Sequence, residues 1–168
     1  SNKAPRRTLE MISELLRYQL YGGNQKVSIL QEIDYLKTYI ALRKLRMSER
    51  LRLRVEFPPE LNELNIYPLL FLPLVENAFK YVGGDYQLDI IMKWENNRIS
   101  LFIRNSIPEL SAEDEALRKS VDERQRKGIG LVNLRRRLSL LYPNKHRLET
   151  RKEETEFVAE LMIEIEDI

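Results

Sequence analysis

Pro68-Leu69-Leu70-Phe71-Leu72-Pro73-Leu74-Val75-Glu76-Asn77-Ala78-Phe79-Lys80-Tyr81 is the stretch on which the reading of this chain turns, because it sets an acid, an amide and a cation at one-turn spacing in an otherwise apolar segment. The pattern predicts a helix over residues 68–81, closed by Gly83-Gly84. An isolated carboxylate or amide in apolar surroundings is costly unless it is paired or bound. Glu76 and Asn77 are therefore expected to have partners, and a metal ion with a phosphate would supply them. The two point about 100° apart on a helix, and Lys80 lies one turn beyond both. An Asn oxygen suits Mg²⁺, which keeps several waters and is usually shared with substrate phosphates. Lys80 offers a point charge to a phosphate oxygen, and Glu76 offers a general base. A solvated Glu-Lys pair on a partly exposed helix accounts for the same residues equally well.

Outward from this segment the apolar period changes to two. Upstream, Leu51, Leu53, Val55 and Phe57 alternate with Arg52, Arg54 and Glu56 and stop at Pro58-Pro59, giving a half-buried strand that marks a boundary between modules. Downstream, residues 87–94 and 98–104 alternate in the same way about Glu95-Asn96-Asn97, a tight-turn sequence. Residues 106–127 have few apolar anchors and many charges, and are expected to form a mobile, partly helical flap. Gly128-Ile129-Gly130 then leads into a helix from about Leu131 to Tyr142, which Pro143-Asn144 ends. Arg147 to Arg151 and Glu156 to Ile165 form a last hairpin, with Phe157, Ala159, Leu161, Ile163 and Ile165 on one face. These elements make an α+β fold: an antiparallel-rich sheet covered on one side by helices.

Before the first strand the period is that of a helix. Leu9, Ile12, Leu16 and Leu20 form a stripe from Thr8 to Tyr21, with Leu15 alongside, and Gly22-Gly23-Asn24 is expected to stop it. Ser28 and Gln31 have capping-box spacing, and Ile29, Ile33, Leu36 and Ile40 continue a second stripe to about Met47. The resulting hairpin has more apolar face than it can bury alone, so it is expected to pack on a partner or on further helices.

Composition sets the outer limits. The 168 residues, 43% apolar and 32% charged, allow one substantial core and at most a second small module. Interspersed charges netting +2 give no broad basic field, which disfavours nucleic acid as a partner. The absence of Cys excludes disulfides and thiolate metal sites and suits a reducing compartment, with the cytoplasm as the default. The sequence has no apolar run long enough to span a bilayer, so no membrane contact is expected within it.

Four further features are weaker. Gly128-x-Gly130 before a helix can turn backbone N–H groups toward phosphate, and equally serves as a loop-to-helix joint. Asn105-Ser106 ends a strand where a side chain can reach a base or ribose, and equally suits a turn. Arg135-Arg136-Arg137 with Asn133 can bind anions or form a solvated helix face. His146, the only histidine, has no paired acid or second ligand in sequence and is read as a surface residue, neither metal ligand nor phosphoacceptor.

In combination these residues resemble a bacterial sensor histidine kinase of the LytS type, whose catalytic domain shares its nucleotide-binding fold with gyrase, Hsp90 and MutL. Pro73 to Tyr81 resembles the N box of that family. Lys127-Gly128-Ile129-Gly130-Leu131-x-Asn133-x-x-x-Arg137-Leu138 resembles the glycine box that follows its ATP lid. Leu15-Leu16-Arg17-Tyr18-x-Leu20, with Val27, Leu30 and Glu32 leading into Tyr39-Ile40 and Arg46, resembles the helical segment after its phosphorylated histidine.

The resemblance implies a Bergerat-type two-layer α/β sandwich over residues 51–168, preceded over residues 1–50 by a helical hairpin that is part of a dimerisation and phosphotransfer region lacking the phosphoacceptor. It implies binding of ATP and Mg²⁺ and transfer of the γ-phosphate to a histidine upstream of this segment, for relay to a response regulator of the LytTR type. Asn77 would hold Mg²⁺, Glu76 would assist transfer, Lys80 would meet phosphate, and Tyr81 would approach adenine. Gly128, Ile129, Gly130 and Leu131 would form the far wall of the phosphate site. The full-length protein would be a homodimer anchored in the inner membrane, with this part in the cytoplasm. One departure concerns the base. Where the family commonly has Asp-Asn-Gly, this chain has Asn105-Ser106-Ile107, and Asn105 keeps an acceptor oxygen but loses the charge, making it an acceptor weaker by about half. A degenerate nucleotide-binding module that signals by dimerising is the alternative.

Overall fold

Alternating apolar residues need a sheet face to bury them, and the strands they form organise the larger part of the chain. The computed structural model describes residues 3–21, 25–61, 63–109 and 114–166, apart from the side chains of residues 3, 4, 20, 21, 118, 121, 122, 126, 127 and 129. Two compact units emerge: residues 1–49 with 60–69, and residues 50–59 with 70–168. Among the described residues no helix is long and apolar enough to cross a membrane.

The first unit holds helices α1 (Lys3–Tyr21) and α2 (Ile29–Arg46) and a two-residue antiparallel bridge between β1 (Val27–Ser28) and β3 (Asn65–Ile66). Helix α2 starts where the capping box predicts. Ser28 Oγ accepts the Gln31 N–H and Gln31 Oε1 accepts the Ser28 N–H, both at 3.2 Å. Its predicted stripe of Ile29, Ile33, Leu36 and Ile40 is buried. The stripe expected on α1 divides instead. Ile12 and Leu15 are half-buried, while Leu9 and Leu16 remain 66% and 55% exposed. Polar contacts select the inward face: Tyr18 stacks on Tyr35 with ring centroids 4.7 Å apart, and Gln19 Nε2 donates to the Tyr35 hydroxyl. Leu20 lies beyond the described side chains, and the expected stop at Gly22-Gly23-Asn24 lies outside the described residues.

The second unit is a five-stranded mixed sheet in the order β2-β4-β5-β7-β6, built from β2 (Arg52–Glu56), β4 (Gln87–Glu95), β5 (Arg98–Ser106), β6 (His146–Lys152) and β7 (Glu156–Glu164). Only β2 and β4 pair in parallel, because the chain between them runs through helix α3 (Leu72–Tyr81). The β4–β5 turn is the predicted one. Asn96 and Asn97 adopt φ 52° and 60° and Glu95 pairs with Arg98, a conformation Asn tolerates well. One sheet face carries Leu88, Ile90, Met92, Ile99, Leu101, Ile103, Phe157, Ala159, Leu161 and Ile163, all buried. Helices α3 and α5 (Ile129–Leu141) pack on it through Leu74, Val75, Ala78, Phe79, Leu131, Leu134 and Leu138, whereas α4 (Glu115–Lys127) meets α5.

Two helix starts differ from expectation. Helix α3 begins at Leu72, four residues late, because Pro73 occupies its first turn and its ring would clash with a helical carbonyl at Leu69. Leu69 instead takes a left-handed φ of 62°. Helix α5 begins at Ile129, two residues early, because the Gly128 carbonyl accepts the N–H groups of Leu131 and Val132 at 3.0 and 3.1 Å, drawing Ile129 and Gly130 into the first turn.

Candidate functional site

Packing fixes the direction of α3. Leu72, Leu74, Val75, Ala78 and Phe79 face the sheet, so Glu76 and Lys80 must project outward, with Asn77 at the boundary. Glu76 is thus exposed rather than buried in the apolar segment. A cleft of about 610 Å³ begins there, lined on this side by Pro73, Glu76, Asn77, Lys80 and Tyr81. A volume of that size suits a cofactor-sized ligand. Lys80 Nζ lies 5.4 Å from the centroid of the Tyr81 ring, which holds cation and aromatic together at the C-terminal end of the helix.

The opposite wall is the start of α5. Gly128, Gly130 and Leu131 line the cleft, and among the described residues no side chain caps the α5 N-terminus, so the N–H groups of Ile129 and Gly130, ahead of the two that bond the Gly128 carbonyl, keep their capacity to bind an anion. A side chain at Gly128 would bring its Cβ within 3.2 Å of the Arg124 carbonyl, tighter than the backbone there accepts without shifting. Ile129 lies between these glycines, and its side chain is outside the described residues. Helix α4 supplies the third wall through Ser120, Glu123 and Arg124. These three carry no sequence signature of a site, because residues 106–127 look like a solvated charged segment.

The C-terminal end of α3 is tied to the end of β5. Gly83 N–H donates to the Ser106 carbonyl at 2.9 Å, and the Ser106 hydroxyl donates to the Gly83 carbonyl at 2.6 Å while accepting the Gln87 N–H at 2.8 Å. Gly84 takes φ 61° with its Cα so close to Ile107 that a Cβ would approach the Ile107 carbonyl oxygen to 2.8 Å, so only glycine fits. Asn105, just before this clamp, is 1% exposed and does not line the cleft. Its Oδ1 accepts a hydrogen bond of 2.8 Å from Nε2 of Gln125 on α4. Gln125 is wholly buried, and its Oε1 has no partner among the described residues. Nothing in the sequence marks this Gln as the inward residue of α4.

His146 opens β6 half-buried, with Nδ1 2.7 Å from the Tyr142 carbonyl, a structural bond away from the cleft residues. Arg135 and Arg136 are exposed on α5, and Arg135 donates to the Leu148 carbonyl at 3.2 Å. Among the described residues no group of three or more His, Cys, Asp or Glu side chains gathers to hold a metal. The cleft's donors do fit a magnesium ion shared with a ligand: one amide oxygen and one carboxylate from α3, beside two cations that suit phosphate.

Comparison with known proteins points one way. A family model described as histidine kinase matches residues 1–51. The sensor protein kinase HptS of Staphylococcus aureus is 27% identical over 153 residues, which is 88% of this chain and 30% of that protein, so the chain spans about a third of the curated relative it matches. Among solved structures, the histidine kinase AdeS of Acinetobacter baumannii superimposes with a TM-score of 0.54 at 15% identity, over 96% of this chain and 77% of that one. The catalytic domain of the histidine kinase ThkA gives 0.52 at 17% identity, over 84% of this chain and 96% of that domain. Full-length ShkA in complex with AMPPNP gives 0.58 at 13% identity, over 95% of this chain and 35% of that one. The chain has the fold of histidine kinase catalytic domains and is similar in sequence to a sensor kinase.

Proposed function

We propose that the second unit binds Mg-ATP in the cleft between α3, α4 and α5 and donates the γ-phosphoryl group to a histidine upstream of this segment, as part of a LytS-type sensor kinase. The observation that supports this most is the facing of two walls. Asn77, Glu76 and Lys80 of α3 stand across one cleft from Gly128 and Gly130 at the uncapped start of α5. Phosphoryl transfer asks a protein mainly for positioning and charge neutralisation. Lys80, Arg124 and the backbone N–H groups of Ile129 and Gly130 would bind and orient the phosphates, and Leu131 would shape the wall behind them. Asn77 would hold Mg²⁺, which when bound neutralises phosphate charge. Glu76 would accept the proton of the attacking imidazole, and Tyr81 would lie toward the adenine. The residues 1–50 and 51–168 would then be the partial dimerisation region and the ATP-binding domain of a membrane-anchored homodimer that passes phosphate to a LytTR-type response regulator.

A second reading draws on Asn105. Its acceptor oxygen is engaged by Gln125 and carries no charge, which favours a degenerate module that signals by dimerising. Extending the chain upstream to include the phosphoacceptor histidine and following γ-phosphate incorporation separates the two. Labelling that depends on Glu76 and Asn77 supports the kinase, and a folded, nucleotide-binding but unlabelled protein supports the degenerate module.

A further inference from the structure

Among the described residues of the first unit, Glu32 is the one buried acid, 2% exposed. A carboxylate withdrawn from water needs donors, and it takes them from two separate parts of the chain. Oε2 accepts the Tyr18 hydroxyl hydrogen from α1, and Oε1 accepts the backbone N–H of Leu69 at 2.5 Å. Burial, and next the hydrogen bond to Glu32, push the Tyr18 hydroxyl pKa up, so Tyr18 stays a donor at any physiological pH.

Leu69 is an unusual residue to find where it is. Its φ of 62° is the left-handed region, where the Cβ of a Leu crowds its own carbonyl. Of the other non-glycine residues with positive φ, Asn96, Asn97 and Asn144 are of the type that tolerates it. Leu69 also ends the first unit: the chain passes to the second at Leu70, and α3 starts at Leu72, its first turn closed by the Leu74 and Val75 N–H groups donating to the Phe71 carbonyl at 3.1 and 3.3 Å. The segment before Leu69 is itself fixed to the start of α2, through Val27 pairing with Ile66 and the Ile29 N–H donating to the Leu64 carbonyl at 2.8 Å. Glu32 therefore anchors the residue at which the first unit ends, three positions before the helix that carries Glu76, Asn77 and Lys80.

We propose that Glu32 is a positioning residue: its carboxylate holds the Leu69 backbone in the left-handed turn that fixes where α3 begins, and the Tyr18 hydroxyl makes that hold depend on α1. A charge-assisted bond to a backbone N–H in a buried setting is among the stronger hydrogen bonds a protein makes, which is what a strained turn requires. The consequence for nucleotide rests on the proposed ATP site, but the turn itself does not.

The test uses the 168-residue chain and follows amide hydrogen exchange together with Mg-AMPPNP affinity in Glu32→Gln, Tyr18→Phe, Leu69→Gly and the Glu32→Gln/Leu69→Gly pair. Weakening a hydrogen bond to a charged acceptor is expected to speed exchange at Leu69, Leu74 and Val75 about tenfold in Glu32→Gln. Tyr18→Phe, which removes only the α1 donor, gives a smaller rise at the same amides, and the β5 and β7 amides keep their rates in both. Nucleotide affinity falls by a similar factor in Glu32→Gln, and Leu69→Gly, which relieves the strained φ, restores it. Unchanged exchange at Leu69, or a uniform rise across all amides, overturns the proposal, since a merely stabilising Glu32 would move every amide alike. Failure of the parent chain to bind nucleotide would sink the ATP reading, while exchange at Leu69 would still decide the role of Glu32.

Discussion

Gln125→Ala is expected to tighten nucleotide binding, although it deletes a buried hydrogen bond. Gln125 Nε2 donates to Asn105 Oδ1 at 2.8 Å, and both side chains are almost wholly buried, 0% and 1% exposed. The other described side chains of α4 are exposed, Leu117 at 57%, so this amide pair is the principal described tether between α4 and the body of the sheet. A net hydrogen bond contributes about 0.5–1.5 kcal/mol, and the unpartnered buried Gln125 Oε1 offsets part of that. If Asn105 is to accept from a base, this contact must first break. Apparent affinity is the intrinsic value scaled by the fraction of competent protein, so abolishing the contact gains at most about tenfold. Titration of a fluorescent ATP analogue in Mg²⁺ measures it: a Kd roughly two- to tenfold lower in Gln125→Ala is expected, with the gain absent when Asn105→Ala is already present. A Kd unchanged or raised in Gln125→Ala would refute the reasoning.

Two further outcomes concern stability. Asp89 Oδ2 accepts two hydrogen bonds from Arg104, whose side chain stays 37% exposed, while the Asp89 side chain is only 2% exposed. Arg104→Ala leaves that carboxylate buried without its cation and is expected to cost about 3 kcal/mol, whereas Asp89→Leu with Arg104→Leu should cost less than about 1 kcal/mol; urea unfolding followed by Trp94 fluorescence reads both. At the β6–β7 turn, burial and the hydrogen bond that its protonated carboxyl donates to Glu153 raise the Glu156 pKa, while hydrogen bonds accepted from Arg151 and then Glu156 lower that of the exposed Glu153. A raised acid pKa contributes stability that is complete below the unfolded value and fades as pH rises through the folded one. The parent's Tm should therefore decline over that window, just above the ordinary Glu range, and Glu156→Gln should lose the decline. The Glu153 contribution has the opposite sign and is lost only at lower pH.

Local chemistry makes much of the fold legible in the sequence. The Ser28-Gln31 box, the Asn96-Asn97 turn and the alternation in β4, β5 and β7 each depend on residues close along the chain, and each forms as expected. Features set by distant partners are not legible. Nothing local announces that β2 pairs in parallel with β4, that two residues at 65–66 bridge to 27–28, or that Glu32 should be buried. On α1 the apolar stripe misjudges the inward face because Tyr18 and Gln19, by bonding Glu32 and Tyr35, select another. Glu76, Asn77 and Lys80 meet Gly128 and Gly130 across one cleft. Arg124 and Gln125 escape notice because a charged helix reads as solvated until its one buried side is seen.

The most direct test of the central claim is calorimetric titration of ATP into this chain and its Asn77→Ala variant, with and without Mg²⁺. The account expects saturable, Mg²⁺-dependent binding by the parent, and a loss of at least about tenfold together with the Mg²⁺ dependence in the variant. Equal binding by both proteins, or no response to Mg²⁺ in either, would contradict it.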